Sequence, residues 1–453
     1  MVNDLTKGKP IRMILSFCLP LMTGQIFQQL YNMVDSIIVG RFAGTAELSA
    51  VGSTGSLSFM VIGFVTGMCT GLSIPLSKAF GACDYKKLKR LYANGAYITL
   101  LMSAALTGIT YLATGRVLKI MNTPDEIFDM AYTYISIIFL GLTATFFYNF
   151  FAGVMRALGD SKTPLYLLIF SSLTNIVLDL VFVIKLGMAV KGVAIATVIS
   201  QAVSAAAAWV IIRKRFTILK AEKGDNKVSF RLWGELLYNG VPMALQISVT
   251  AIGSVMLQSA VNQLGADVIA AVTVGGKIQL MLILPSETIG ITMATYCGQN
   301  LGARRIDRIS EGLRKSILIG MVYCVISISI AKLLGGKLAL LFLDGNQNVI
   351  IGEVEQFLKA CSWFYPILAV LFIYRNSIQG LGYSVPAMLA GVFELAARAV
   401  MGFAVIPRYG YSAVCLANPS AWCAAALFLI PVWYTVFHLT KKKLAEGENS
   451  GGK

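Results

Sequence analysis

Four acidic side chains stand inside long apolar stretches of this 453-residue sequence: Asp35, Asp179, Glu287 and Glu394. A carboxylate at the centre of a membrane helix costs roughly 2.5 to 3.5 kcal/mol on insertion scales, so each of them needs a purpose or a partner. Asp35 closes a polar series, Gln25, Gln28, Asn32 and Asp35, with spacings of three, four and three. In a helix those spacings place all four on one face, a stripe nearly three turns long that calls for water, polar partners or an ion. Asn175 and Asp179 are four apart and share a face of another helix. Two acids accompanied by amide oxygens make either a hard-oxygen site for Na+ or an acid pair that holds a proton between its members.

The remaining intramembrane charges read differently. Glu394 and Arg398 are four apart in the order that favours an intrahelical ion pair. Mutual neutralisation with a structural or gating role is the leading reading, and direct substrate contact the other. Lys277 and Glu287 share one apolar stretch but lie about 15 Å apart along a helix, too far to pair with each other. Both are candidate cavity charges whose partners must come from elsewhere.

Enzymatic chemistry lacks its parts. The single histidine, His438, falls at the inner end of the last apolar run, and no phosphate-binding GxxxxGK[ST] occurs. Gly52-Ser53-Thr54-Gly55 does not set a serine where a rhomboid-type motif needs one, and Ala157-Leu158-Gly159-Asp160 lacks the first glycine of the presenilin-type motif. The eight cysteines show no CxxC or Cys/His spacing and read as buried or lipid-facing thiols. An intramembrane aspartyl-type enzyme built on Asp35 and Asp179 is the one enzymatic alternative. No cofactor is expected beyond Na+ or H+ as a coupling ion.

The elements that carry these residues follow from composition. Hydrophobic residues reach 57% and charged ones only 13%, which excludes a soluble domain and a disordered chain alike. Seven charge-free stretches exceed 20 residues: 13–34, 48–77, 91–115, 130–155, 192–212, 236–266 and 409–440. Five more are sparsely interrupted: 163–184, 268–303, 316–336, 356–374 and 376–407. Together they predict an all-α membrane protein of 12 spans, since runs this long and apolar can satisfy their backbone only as helices. The first run is too long for a signal sequence and is expected to stay as a span. The net charge of +16 sits in short basic clusters between these runs, which suits membrane topology and not nucleic acid. With both termini cytoplasmic, 27 Lys and Arg fall inside, Arg375 among them, and nine outside. That asymmetry sets the orientation and predicts a multi-pass protein of the cell membrane.

The chain also resembles itself at a shift of about 221. Gly44 falls on Gly265, Ala50 on Ala271, Gly81-Ala82 on Gly302-Ala303, Leu158-Gly159 on Leu381-Gly382 and Pro164 on Pro386. The boundary is expected in the basic link 213–231, giving an N-terminal six-helix lobe, 1–220, and a C-terminal one, 221–453. Six spans per half predicts two bundles related by a pseudo-two-fold along the membrane normal, rocking about a cavity between them. The C-terminal equivalents of Asn32 and Asp35 are Gly253 and Met256. Helix adhesion alone would not explain why one half keeps the acid and the other lacks it.

Four segments, VGRFAGTAELSAVG (39–52), RALGDSKTP (156–164), KGVAIATVISQ (191–201) and GQNLGARRIDRI (298–309), resemble the multidrug and toxic compound extrusion (MATE) transporters, DinF-like branch or a close relative. The resemblance extends over essentially the whole chain. It implies export of small organic, often cationic, compounds by a monomer in contact with membrane lipids, driven by inward flow of Na+ or H+. It further implies a cation site in the N-terminal lobe whose motif positions match Asp35, Asn149, Asn175, Asp179 and Thr197. Acids that another branch uses in its C-terminal lobe have no match here. A lipid-linked saccharide flippase of the same superfamily is the alternative, disfavoured by 12 spans instead of 14.

Overall fold

The computed structural model describes residues 4–121, 123–222, 224–343 and 346–450. Every regular element among them is helical, as expected where no water is available to satisfy backbone groups. In chain order the α-helices are α1 (Pro10–Ile38), α2 (Thr45–Ser53), α3 (Gly55–Gly81), α4 (Tyr85–Ile120), α5 (Asp125–Leu140), α6 (Leu142–Ala157), α7 (Lys162–Asp179), α8 (Ala189–Arg215), α9 (Phe230–Val261), α10 (Ala266–Gly302), α11 (Ile306–Ala339), α12 (Asn348–Ser362), α13 (Tyr365–Gly380), α14 (Ser384–Val400), α15 (Ile406–Tyr409) and α16 (Tyr411–Ser450).

Among the described residues, ten helical segments are long and apolar enough to cross a membrane singly, and two bent pairs, α5–α6 at 46° and α12–α13 at 53°, bring the spans to 12 when each pair is one span. The chain is a multi-pass, all-α membrane protein. Two boundaries differ from the hydropathy reading. The run 48–77 breaks at Thr54 between α2 and α3. The eleventh span begins at Ser384, not at Asn376, so Arg375 belongs to the interior of α13 and not to a cytoplasmic loop. A single arginine between two apolar runs looks like a loop by charge alone; here the helix continues past it to Gly380.

The repeat recurs element by element. A glycine outside the helical φ/ψ region precedes both α2 and α10, Gly44 at φ 130° and Gly265 at φ 103°. Left-handed residues recur at Cys83 and Arg304, Gly159 and Gly382, and Gly187 and Gly410. The bent pairs correspond as well, and so do two wide π-helical turns, Leu180–Lys185 after α7 and Met401–Val405 after α14. A third π-helical turn, Val39–Ala43, follows α1.

Two compact units partition the chain. One contains Leu19–Ala244; the other contains Leu5–Cys18 and the chain from Leu245 onward. In the first, Met68, Leu72 and Leu76 of α3 pack with Leu88 and Leu91 of α4 and Phe146 and Phe150 of α6, all essentially inaccessible to solvent. Gly67 lets α3 meet α9 closely: a Cβ there would lie 2.6 Å from the Met243 carbonyl oxygen. The link before α9 is tied to α4, where the Asn94 side-chain oxygen accepts from the Ser229 amide and the Trp233 indole, each at 2.9 Å. In the second unit the N-terminal arm is held by α10 and α11. The Leu5 amide donates to Gln299 at 3.0 Å, and Arg308 donates to the Gly8 carbonyl at 2.8 Å.

Candidate functional site

In the first unit, α1, α5, α7 and α8 converge on two carboxylates. Asp35 is half-buried near the end of α1, and Asp179, the last residue of α7, is fully buried. The two carboxyl groups are within hydrogen-bonding reach of each other. Asn175 stands one turn before Asp179 and is 1% exposed. With its amide oriented to suit its neighbours, its nitrogen donates to Asp179 Oδ2 at 3.1 Å and to the Tyr31 hydroxyl at 2.9 Å. Its oxygen then accepts from the Thr197 backbone amide at 3.1 Å. Thr197 on α8 donates to the Val193 carbonyl at 3.0 Å, with its side chain near the Tyr31 hydroxyl. Tyr134 of α5 adds a second phenol within the electrostatic reach of both acids.

One oxygen of each carboxylate, Asp35 Oδ1 and Asp179 Oδ1, is buried without a hydrogen-bond partner. Two buried anions side by side repel each other, and each leaves an acceptor unsatisfied, a combination relieved by a proton or a cation shared between them. The oxygens around them are carboxylate, hydroxyl and phenol, hard donors that suit Na+, whereas Asn175 turns its amide nitrogen to Asp179 and its oxygen to the Thr197 amide. No group of three or more His, Cys, Asp or Glu side chains that would hold a transition metal occurs among the described residues.

Not every residue expected at this site is joined to it. The Asn149 amide donates to the Thr145 carbonyl of its own helix at 2.8 Å, and no described hydrogen bond links it to either acid. Along α1, Gln25 is half-buried whereas Gln28 and Asn32 are exposed. The polar stripe therefore divides lengthwise, with Tyr31 and Asp35 turned into the bundle. Both tyrosines were missed in the sequence. Tyr31 is four residues before Asp35 and shares its helix face, which was the available signal; Tyr134 carries no such spacing.

In the second unit, Glu394 and Arg398 of α14 approach to 3.8 Å, but Glu394 also makes a closer ion pair with Arg375 of α13. All three are more than nine-tenths buried. Glu287 on α10, half-buried, lies within the electrostatic reach of Arg375. Gly253 on α9 makes room for this cluster, since a Cβ there would come 3.2 Å from Arg398 Cδ. Arg398 in turn donates to the Thr250 carbonyl at 3.3 Å. Lys277, on the same helix as Glu287, is exposed, with its ammonium 5.7 Å from the Phe342 ring centre, a cation–π contact.

Comparison with known proteins agrees with this architecture. The MatE family profile matches residues 20–181 and, a second time, residues 242–404. The chain is 28% identical over 385 residues to a Bacillus subtilis (strain 168) protein named "Probable multidrug resistance protein YpnP", covering 84% of each. It is 23% identical over 401 residues to a Thermotoga maritima protein named "Probable multidrug resistance protein NorM", covering 87% of this chain and 86% of that one. Its fold matches a multidrug resistance MATE family transporter solved in an outward-facing conformation, with a TM-score of 0.89 at 22% identity over 97% of this chain and 99% of that one. A Pyrococcus furiosus transporter of the MOP superfamily gives a TM-score of 0.85 at 22% identity, covering 98% and 97%. Since the two profile matches together take in most of the chain and fall one on each half of the internal repeat, the protein belongs to the MatE family, whose members are membrane transporters and not enzymes.

Proposed function

We propose that this transporter exports small organic compounds from the cytoplasm in exchange for Na+ or H+, with Asp35 and Asp179 as the groups that hold the coupling ion. The observation that carries the reading is the carboxylate pair itself: two acids on separate helices, within hydrogen-bonding reach, each with one buried oxygen unpartnered. Tyr31 and Thr197 add hydroxyl oxygens, Asn175 orients Asp179 and Tyr31 through its amide nitrogen, and Asn149 lies outside the hydrogen-bonded shell. An ion entering this site removes the repulsion between the carboxylates and draws α1 toward α7, so its free energy is coupled to helix position. No ATP-binding loop exists in the sequence, and the gradient is the energy source.

The protein acts as a monomer in the cell membrane with both termini cytoplasmic, an orientation supported by the threefold excess of Lys and Arg on the cytoplasmic loops. Its partners are small organic substrates and lipids; no nucleic acid is involved, and no cofactor beyond the coupling ion. The test is efflux of an unmodified cationic dye from proteoliposomes with Na+ and H+ gradients imposed separately. Export under one gradient and not without it supports the reading. Export indifferent to both gradients overturns it.

A further inference from the structure

We propose that Arg375 and Arg398 form a receptor for an organic anionic group, a carboxylate or phosphate, in the unit that does not contain the Asp35–Asp179 pair. Arg375 is 7% exposed and Arg398 6% exposed, so neither guanidinium is solvated by bulk water. Both arginines ion-pair with a single acid, Glu394, which leaves the trio with a net positive charge. Glu287 offsets that charge only at a distance, since the ion pairs of both arginines go to Glu394. The hydrogen-bond inventory is also unfilled. Arg375 uses one terminal nitrogen on Glu394, Arg398 uses one on the Thr250 carbonyl, and the Nε–H of both is buried with no acceptor.

A guanidinium has five N–H donors in a planar fork, and a buried, unfilled fork is among the more costly arrangements in a protein unless a ligand completes it. The group that fits is a carboxylate or phosphate, an anion whose oxygens accept from the Nε–H groups that Glu394, held at the neighbouring Nη2 atoms, leaves unfilled. An ammonium or other cation is repelled by the same two residues. The site thus extends the substrate class from cations to compounds bearing an acidic group, zwitterions included. Phosphate on a lipid headgroup offers the same chemistry as a solute anion, and the two sources are separable.

This inference rests on the reading of the chain as an exporter of organic compounds, but its test is a binding measurement without any gradient, so its failure is distinguishable from failure of export. The full chain in phosphatidylcholine nanodiscs is titrated with carboxyfluorescein and, separately, with the cationic dye rhodamine 6G. Arg398→Gln should lower the carboxyfluorescein-to-rhodamine affinity ratio by about 10-fold or more, the loss expected for one or two hydrogen bonds to a charged group. Arg398→Lys, which keeps the charge but not the fork, should fall between. The wild type gives an arm independent of any variant: benzoate should raise its melting temperature, whereas the uncharged isostere benzamide should not. Repeating the titration with phosphatidylglycerol present assigns the source. Displacement of the dye makes the native ligand a lipid headgroup, and retention makes it a solute. An affinity ratio unchanged in both variants, or equal effects of benzoate and benzamide, overturns the proposal.

Discussion

The two charged clusters differ in what each residue can be asked to do. Asp35→Asn removes one of two anions that share a site, so insertion and folding should survive while ion-coupled dye efflux falls to the level of empty liposomes. Asp179→Asn should be equally severe, since its carboxylate is the fully buried member. Tyr31→Phe keeps the ring but deletes the hydroxyl that accepts from Asn175, and should slow coupled efflux by about 10-fold, the effect of one lost buried hydrogen bond. In the other cluster the order is set by Arg375. Had Glu394 and Arg398 formed a closed pair, removing both would be the mild change; with Arg375 present, that double change strands a buried cation. Glu394→Gln should therefore lower the melting temperature in detergent more than Arg398→Gln does, because the former strands two arginines and the latter leaves Glu394 paired. A larger loss in Arg398→Gln would contradict the geometry. Asp35, Asp179 and Glu394 stood out in the sequence because a charge in an apolar run is expensive and visible. Arg375 did not, because a basic residue beside a run's end is the ordinary mark of a loop. Tyr31 did not either, because tyrosine is unremarkable in a membrane helix until something shows what its hydroxyl faces.

At the scale of the elements, the halves share their exceptions as well as their helices. Gly44 and Gly265, 221 positions apart, both turn the chain into a helix through a conformation with φ above 100° and extended ψ, which is essentially confined to glycine. Space is not the issue at Gly265, where a Cβ would meet nothing within 4 Å. Gly265→Ala should nonetheless cost about 1 to 3 kcal/mol through backbone strain alone. Gly276, equally uncrowded but inside α10, provides the control: Gly276→Ala should be neutral or stabilising by up to about 1 kcal/mol, from helix propensity. Unfolding of the two variants side by side in one detergent checks the pair, and equal effects would show that the turn conformation is not what requires Gly265. The number of spans was legible from the lengths of the apolar runs, since a bilayer of fixed thickness leaves helices no other solution, and the repeat from residues recurring at a shift of about 221. The bends at α5–α6 and α12–α13 and the π-helical turns were not, because they depend on packing against neighbours and leave the hydropathy of the run unchanged.

At the scale of the whole molecule, coupling is a statement about free energies of two states. A ligand that binds both states equally shifts nothing, so an exchanger must let the ion favour the state in which affinity for the exported compound falls. One charge crossing 100 mV supplies about 2.3 kcal/mol, enough for roughly a 50-fold gradient of a neutral compound exchanged one for one. On the reading proposed above, that differential affinity resides in the Asp35–Asp179 pair, whose members sit on α1 and α7, separate helices. Dye affinity measured by fluorescence in detergent, where no gradient exists, should weaken with added Na+ if Na+ is the coupling ion, or with falling pH if the proton is. The sign follows from linkage, since the ion favours the low-affinity state and by reciprocity the dye must weaken ion binding by the same factor. Asp35→Asn should flatten the dependence, because a single carboxylate beside an amide no longer gains from neutralisation. If wild-type affinity ignores both Na+ and pH, the carboxylate pair is a structural pin and export by this chain is not an exchange.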